Sequence, residues 1–437
     1  MEMVDVSKMT VGHEINVVSV KYEDIVIDIM EVTGMSVSEK NLKGALETII
    51  SPIIQCTDKK IEDSIVMSKE EEERILENSR GVTKIFDTKL NILSFVKENA
   101  MKMGNKIAIT FENNSVTYFE LNRLVNVVAN NLSKYGIGED NVICLIMERS
   151  PKMIVMCLAI WKLGAAYLPI DCELPTRRVE SIIESSTPEM IISDLEYDSF
   201  KGNHNFVLSD LLFKESSYTI MKGNEENNGQ KNKLAYIIMT SGTTGIPKGV
   251  MIEQRGLMNH IYSLIDELGM NEHSVIAQTA SCGFDISVWQ MFAAFVVGGE
   301  VVIIKKENIL DIQNFLEIVE DNNITELEIV PSYLHIMLDN IEMQNINYLS
   351  KVKNVIITGE ALERNLVKRW FSIFPGKSIL NAYGPAEASD DVTFERITEY
   401  RENSAISIGK PIQNMMVFIL DKNMQLCPVG VMGEICI

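Results

Sequence analysis

The chain holds 437 residues, 46% of them apolar, enough for a large core divided over more than one lobe. Lys and Arg number 40 against 61 Asp and Glu, a formal charge of −21. That balance excludes a nucleic-acid binder, which needs a basic footprint, and leaves any bound phosphate to local donors working against an unfavourable overall field.

Met1 to Thr10 interleaves Glu, Asp and Lys with its apolar residues, so no signal peptide is expected. Residues 1–80 hold the strand-like VVSVKYEDIVIDIMEV and a predicted helix from Ser38 to Ser51. An acidic run around Lys69–Glu73 reads as a helix start, with Ser68 as N-cap and Glu71 three residues on. From 81 onward helices and strands alternate. Ile92–Met103 is a helix, Lys106–Tyr118 a hairpin about Asn113-Asn114, and Phe119–Tyr135 a long amphipathic helix. Asn141–Met147 is a strand and Met153–Leu163 a helix closed by Gly164. Strand segments return at Phe206–Leu211, Val275–Thr279, Gly299–Ile304, Glu326–Val330 and Val355–Thr358. The alternation predicts an α/β fold with mostly parallel, helix-covered sheets.

Lys222–Lys233 is a polar, Gly/Asn-rich loop. The longest apolar stretches, Met153–Trp161 and Met291–Gly299, are about half the length of a membrane span, so the expectation is a soluble, cytoplasmic protein with no membrane partner. Cys56, Cys144, Cys157, Cys172, Cys282, Cys427 and Cys436 form no CxxC pair and read as reduced thiols. The five histidines are scattered and offer no ligand cluster.

The densest chemistry lies in Leu234 to Val250, LAYIIMTSGTTGIPKGV. The run LAYIIM reads as a buried strand, and a strand resumes at Gly249–Ile252. Between them stand Thr240, Ser241, Gly242, Thr243, Thr244 and Gly245, then Pro247 and Lys248. Glycines let several backbone N–H groups converge into a nest for an anion. The hydroxyls add donors, and Lys248 adds a mobile charge for phosphate oxygens. A hairpin turn alone needs about two to five loop residues and no such concentration of donors. Phosphate is the expected ligand, although the spacing is not that of a Walker A loop.

TSGTTGIPKG resembles the phosphate-loop signature of the adenylate-forming superfamily, which holds acyl-CoA synthetases, luciferases and the adenylation domains of nonribosomal peptide synthetases. The LAY lead-in is similar to the peptide-synthetase branch. Val116-Thr117-Tyr118-Phe119-Glu120-Leu121 and Trp161 to Asp171 (WKLGAAYLPID) resemble that branch's first two motifs, both structural. Ile61-Glu62-Asp63 followed by Ser68-Lys69-Glu70-Glu71 resembles a condensation–adenylation linker, with a simple N-terminal extension as the open alternative. The resemblance covers residues from about 70 to 437. It implies a core of two α/β subdomains over 81–400 and the start of a β-barrel over 401–437, after an extension or linker over 1–80.

The resemblance also implies roles. Phe284-Asp285-Ile286-Ser287 carries the aspartate that accepts the substrate's α-ammonium, a partner that fatty-acid activators do not need. In Asn381-Ala382-Tyr383-Gly384-Pro385-Ala386-Glu387, Asn381 and Tyr383 would carry adenine, backed by Gly359, Ala382 and Gly384. Glu387 would hold Mg²⁺, and with Lys248 forms the implied catalytic pair. Ala386 stands where the family usually has Thr, putting one α-phosphate contact in doubt. The amino-acid pocket would be lined by Asp285, Ile286, Trp289, Glu328, Ile356, Thr358, Ala382, Asp390 and Asp391.

Glu328 sits where a neutral residue would suit a strand, and a buried acid without counter-charge costs several kcal/mol or protonates. A cationic substrate side chain relieves it; an internal Lys or Arg is the alternative. Asp390 and Asp391 in an extended segment would point to opposite faces, so that one reaches the pocket. Trp289 is bulky and shortens the pocket, favouring a short diamino acid, 2,4-diaminobutyrate first and ornithine second.

The implied reaction joins an amino acid to ATP with Mg²⁺, giving aminoacyl-AMP for transfer to the phosphopantetheine thiol of a peptidyl carrier protein. A condensation domain and a small MbtH-like activator are further implied partners. Gly433-Glu434-Ile435-Cys436-Ile437 matches the start of the family's sixth motif, and the mobile lid with its lysine is expected to be missing, leaving this portion impaired in turnover. Two other readings stay open: an acyl- or aryl-activating ligase, and an inactive core that docks proteins.

Overall fold

In a computed structural model of the protein, the described residues are the strands Asp5–Val11, Ile15–Tyr22 and Ile25–Val32, and residues 67–437 except 88–89, 198–199, 201–204, 215–232, 242–246, 345–347 and 403. The helix expected over 38–51 lies outside them, as does nearly all of the polar loop 222–233. The chain divides into a smaller unit of Met1–Val82, Arg401–Ala405 and Asn414–Ile437, and a larger unit of Thr83–Tyr400 and Ile406–Gln413.

In the smaller unit the first three strands form an antiparallel meander. The stretch VVSVKYEDIVIDIMEV holds two strands rather than one, paired antiparallel with Tyr22 opposite Ile25. Helix Lys69–Asn78 begins at Ser68, whose hydroxyl accepts the Glu71 N–H at 3.2 Å, the expected cap. Phe418–Leu420 and Glu434–Cys436 pair antiparallel near the end of the chain.

The larger unit contains two sheets. The six-stranded one runs in the order Pro247–Glu253, Leu234–Ser241, Ala166–Ile170, Val142–Ile146, Met190–Ser193, Phe206–Leu208. The nine-stranded one runs Lys410–Pro411, Thr393–Ile397, Ile379–Tyr383, Asn354–Ile357, Glu326–Ile329, Val275–Gln278, Glu300–Ile303, Ile107–Phe111, Asn114–Thr117. Central pairs are parallel and antiparallel pairs lie at the edges, the arrangement expected of crossover helices covering both faces. Helix Pro151–Lys162 contains the first of the two longest apolar runs and helix Ile286–Val297 all of the second but its two closing glycines, and each helix is buried along most of its length. They are apolar all round because other elements cover every face. The ring of Trp161 meets that of Phe292 at 4.6 Å between centroids.

Local signals agree with this packing. Thr117 and Glu120 close a capping box at the start of helix Tyr118–Ser133. Thr117→Ala is expected to cost about 1 kcal/mol of stability, read from denaturant unfolding; an unchanged midpoint would contradict this.

The glycine- and threonine-rich stretch joins a hairpin. Leu234–Ser241 and Pro247–Glu253 pair antiparallel, with Thr240 opposite Lys248 and Ser241 opposite Pro247. The connection 242–246 is thus of ordinary hairpin length, and the hairpin reading set against phosphate binding holds for the topology. Gly242, Thr243, Thr244 and Gly245 lie outside the described residues.

Candidate active site

Four neighbouring parallel strands of the large sheet, Ile379–Tyr383, Asn354–Ile357, Glu326–Ile329 and Val275–Gln278, bring their carboxyl ends to one edge. Such an edge is where open α/β sheets bind ligands. Thr358 and Gly359 follow the second strand, Gly384 the first, and Asp285 the loop after the fourth. Within Glu326–Ile329, Leu327 and Ile329 enter an apolar cluster on one face. By strand alternation Glu326 and Glu328 share the other face.

Glu328 is only 2% exposed. Its Oε2 accepts the indole N–H of Trp289 at 2.6 Å and a side-chain N–H of Gln290 at 3.1 Å. Its Oε1 is buried without a hydrogen-bond partner. Among the described residues no Lys or Arg pairs with it, so the internal counter-charge alternative gains no support. Burial holds the Glu328 carboxyl well above the usual carboxylate range, the charge of Asp391 adds to this, and the two donated bonds oppose it. Trp289 is fully buried, so its role exceeds that of a blocking wall: it orients the acid. Ile356 and Ala382 belong to the same apolar cluster as Trp289.

Asp285 caps helix Ile286–Val297, its Oδ1 accepting the Ile286 N–H at 3.0 Å. Burial raises its carboxyl, the Ile286 bond opposes that, Asp391 raises it further and His260 counters. Trp289 lies four residues on and so on the same helix face as Asp285. Ile286 reaches toward Gly359, its Cδ1 being 3.9 Å from where a Cβ would stand on that glycine.

Asp390 and Asp391 do not alternate as an extended pair would. Ser389 and Asp390 have φ of 70° and 81°, so the backbone coils in the left-handed region and the period-two rule lapses. Both aspartates are turned toward one residue, His260. Its Nδ1 lies 3.8 Å from Asp390 Oδ2 and its Nε2 3.4 Å from Asp391 Oδ2. Thr358 donates its hydroxyl to Asp391 Oδ1 at 3.1 Å. His260 corrects the reading that no histidine joins a cluster. The signal was faint: His260 falls four residues after Gly256 in the helix that follows the hairpin.

Two glycines permit this meeting. A methyl group at Gly256 would strike the Ser389 side chain, and one at Gly384 would strike the Asp390 carbonyl. Gly384→Ala is therefore expected to destabilise the chain by about 1–3 kcal/mol. Thermal unfolding measures it, and an unchanged Tm would contradict the close approach. The side chain of Tyr236, in strand Leu234–Ser241, also feels this cluster. Burial raises its phenol well above the ordinary range, and the charges of Asp390 and Asp285 add to it.

The expected nucleotide ligands divide. Thr240 donates to the Lys248 carbonyl at 3.4 Å, and the Lys248 side chain is exposed. Asn381 is buried and commits one N–H to the Ser407 carbonyl at 2.7 Å. Tyr383 is half-buried at the strand end. Gly359 adopts φ of 81°. Glu387 stands exposed on the short turn Ala386–Ala388, as a carboxylate open to a hard cation must.

A separate polar cavity of about 60 Å³ is lined by Arg149, Asp171, Ser281, Lys305 and neighbours, and contains none of the expected site residues. There Ser281 donates to Asp171 at 2.5 Å and Arg149 donates to the Thr279 carbonyl, ties that join the two sheets.

Residues 96–437 match the family model described as "AMP-binding enzyme". The chain is 33% identical over 342 residues to "Tyrocidine synthase 3" of Brevibacillus parabrevis, covering 78% of this chain but only 5% of that protein's length. It is 33% identical over 357 residues to "Zwittermicin A synthase ZmaJ" of Bacillus cereus, covering 79% and 67% respectively. The solved structure of holo-AB3403, a four-domain nonribosomal peptide synthetase bound to AMP and glycine, has the same fold, with a TM-score of 0.79 at 23% identity over 95% of this chain and 30% of that one. The chain belongs to the AMP-binding enzyme family and is homologous to the adenylation domains of nonribosomal peptide synthetases.

Proposed function

We propose that the chain activates an amino acid, joining it to ATP as aminoacyl-AMP for loading onto a carrier-protein thiol, and that the substrate is a short diamino acid. 2,4-Diaminobutyrate is the first choice and ornithine the second. The observation that carries this reading is Glu328, a fully buried acid with one bare oxygen, no basic partner among the described residues, and a place beside Asp285 at the same sheet edge. Leaving such a group unpaired costs several kcal/mol, and a substrate ammonium supplies the missing partner.

In this reading Asp285 takes the α-ammonium and so aims the substrate carboxylate, while Glu328 takes the side-chain ammonium. The carboxylate oxygen bonds to the α-phosphorus of ATP as the bond to the β-phosphate oxygen breaks and pyrophosphate leaves. Thr240, Ser241, Gly242, Thr243, Thr244, Gly245 and Lys248 would hold the phosphates, with Asn381 and Tyr383 on adenine. Glu387 would hold Mg²⁺, which when bound supplies positive charge to the phosphates. The protein's share is positioning and fixed charge rather than bond chemistry of its own. Residues 401–437 would begin a β-barrel, and carrier, condensation and MbtH-like proteins remain proposed partners. Equilibrium dialysis with Mg-ATP tests the reading. 2,4-Diaminobutyrate should be retained, and 4-aminobutyrate, which lacks the α-amino group, should not. Equal retention of both would favour an acyl-activating enzyme.

A further inference from the structure

Gln290 is absent from the pocket residues that the motifs imply, yet it is completely buried beside Glu328. Its Oε1 accepts the backbone N–H groups of Thr279 and Ala280, each at 3.0 Å. Backbone N–H groups only donate, so this end of the amide is the oxygen and the other end is the NH2 group. That Nε2 donates to Glu328 Oε2 at 3.1 Å and to the Thr279 hydroxyl at 3.4 Å. The hydroxyl donates in turn to the Glu328 backbone carbonyl at 3.3 Å. The indole N–H of Trp289, also a donor only, meets the same Oε2 at 2.6 Å.

Two consequences follow from these donors. Oε2 is committed as an acceptor whether or not the carboxyl holds a proton, since both of its partners can only donate. The open oxygen of Glu328 is therefore Oε1, which is buried without a hydrogen-bond partner. The same amide also closes a loop. Thr279 and Ala280 open the connection from strand Val275–Gln278 to Asp285, and Gln290 stands on the helix that Asp285 caps. One neutral side chain thus holds both Glu328 and the root of the loop that carries Asp285. A neutral donor orients the acid and leaves its charge for a ligand, as a Lys or Arg would not.

We propose that Gln290 is a positioning and specificity-determining residue: with Trp289 it leaves a single oxygen of Glu328 to the substrate, so that the pocket takes a primary ammonium and rejects a guanidinium. This rests on the amino-acid pocket proposed above. An ammonium is a compact charge that one oxygen can answer. A guanidinium binds a carboxylate best by two parallel N–H bonds to both oxygens, and here one oxygen is already taken.

Calorimetry of the full chain with Mg-ATP tests the proposal in two steps. In the wild type, ornithine is compared with 2-amino-3-guanidinopropionate, whose terminal nitrogens lie equally many bonds from Cβ. Ornithine is expected to bind at least about tenfold more tightly; equal binding overturns the single-oxygen claim. Next, 2,4-diaminobutyrate is compared with 2-aminopentanoate, which has the same shape with a methyl in place of the side-chain ammonium. Gln290→Met is expected to narrow the preference for 2,4-diaminobutyrate about tenfold. A merely structural role would weaken both amino acids alike, and an unchanged ratio overturns the proposal. Should that variant not fold, Trp289→Phe removes the other donor on the same oxygen, and the same ratio decides. A wild type with no preference between these two amino acids sinks the pocket reading itself, whereas a preference that survives the substitution sinks the role of Gln290 alone.

Discussion

Glu328→Gln is expected to weaken binding of 2,4-diaminobutyrate about 100-fold or more, and at the same time to stabilise the unliganded chain. Removing one partner of a desolvated ion pair typically costs about 3–5 kcal/mol, and each 1.4 kcal/mol is tenfold in affinity. Glutamine keeps the size and an oxygen for the Trp289 N–H, which now donates to Glu328 Oε2 at 2.6 Å, so the loss reports charge rather than shape. Without ligand the balance reverses, because the carboxylate is buried with Oε1 unpartnered.

The sign of the pH dependence follows. Glu328, Asp390 and Asp285 all have carboxyls raised, first by burial, so the folded chain holds protons that the unfolded chain releases. Their contribution to stability is fully present below the ordinary carboxylate value of about 4 and is lost as pH rises through the raised values. The Tm of the unliganded chain should therefore fall across that window, and less steeply in Glu328→Gln. A variant that binds diaminobutyrate as the wild type does, or melts lower, would contradict the account.

Asp285→Asn is expected to abolish measurable binding of every α-amino acid, on the order of 100-fold, with nucleotide binding within about twofold of wild type. Asparagine caps a helix as well as aspartate does, so helix Ile286–Val297 keeps its start and the fold should stand. What disappears is the charge that receives the α-ammonium. Circular dichroism checks the fold and calorimetry the affinity. Retained affinity for leucine or diaminobutyrate would mean that the ammonium is held elsewhere.

Much of this was legible in order along the chain. Apolar runs bounded by Gly, Pro and Asn marked most of the expected strands and helices to within a residue or two, because both faces of each sheet are covered and the strands are simply apolar; the strand expected over Phe206–Leu211 instead ends at Leu208 and turns into the short helix Ser209–Leu212. Glu328 stood out for the same reason, as a charge inside such a run. Asp285 was legible through its motif, and its capping role agrees with the short polar loop before an apolar helix.

What escaped was set by distance and by backbone conformation. Residue 260 is 130 positions from Asp390, and nothing in its own helix announces a partner. The assumption that Asp390 and Asp391 diverge failed because Ser389 and Asp390 take positive φ, a conformation rare for residues with a side chain and therefore a poor default. The close approaches at Gly256 and Gly384 are tertiary facts, visible only once the helix and the loop are packed together. The strands on either side of 242–246 were legible as apolar runs, but their antiparallel pairing was not, because a concentration of donors says what a loop could bind and not how its flanking strands pair.

The measurement that bears most directly on the proposed function is calorimetric titration of the chain, with Mg-ATP present, against 2,4-diaminobutyrate, ornithine, lysine and leucine. The account expects 2,4-diaminobutyrate to bind most tightly, ornithine next, lysine weakly and leucine not measurably. Leucine binding as tightly as 2,4-diaminobutyrate would contradict it, since no neutral side chain supplies the ammonium partner that the buried Glu328 carboxyl lacks.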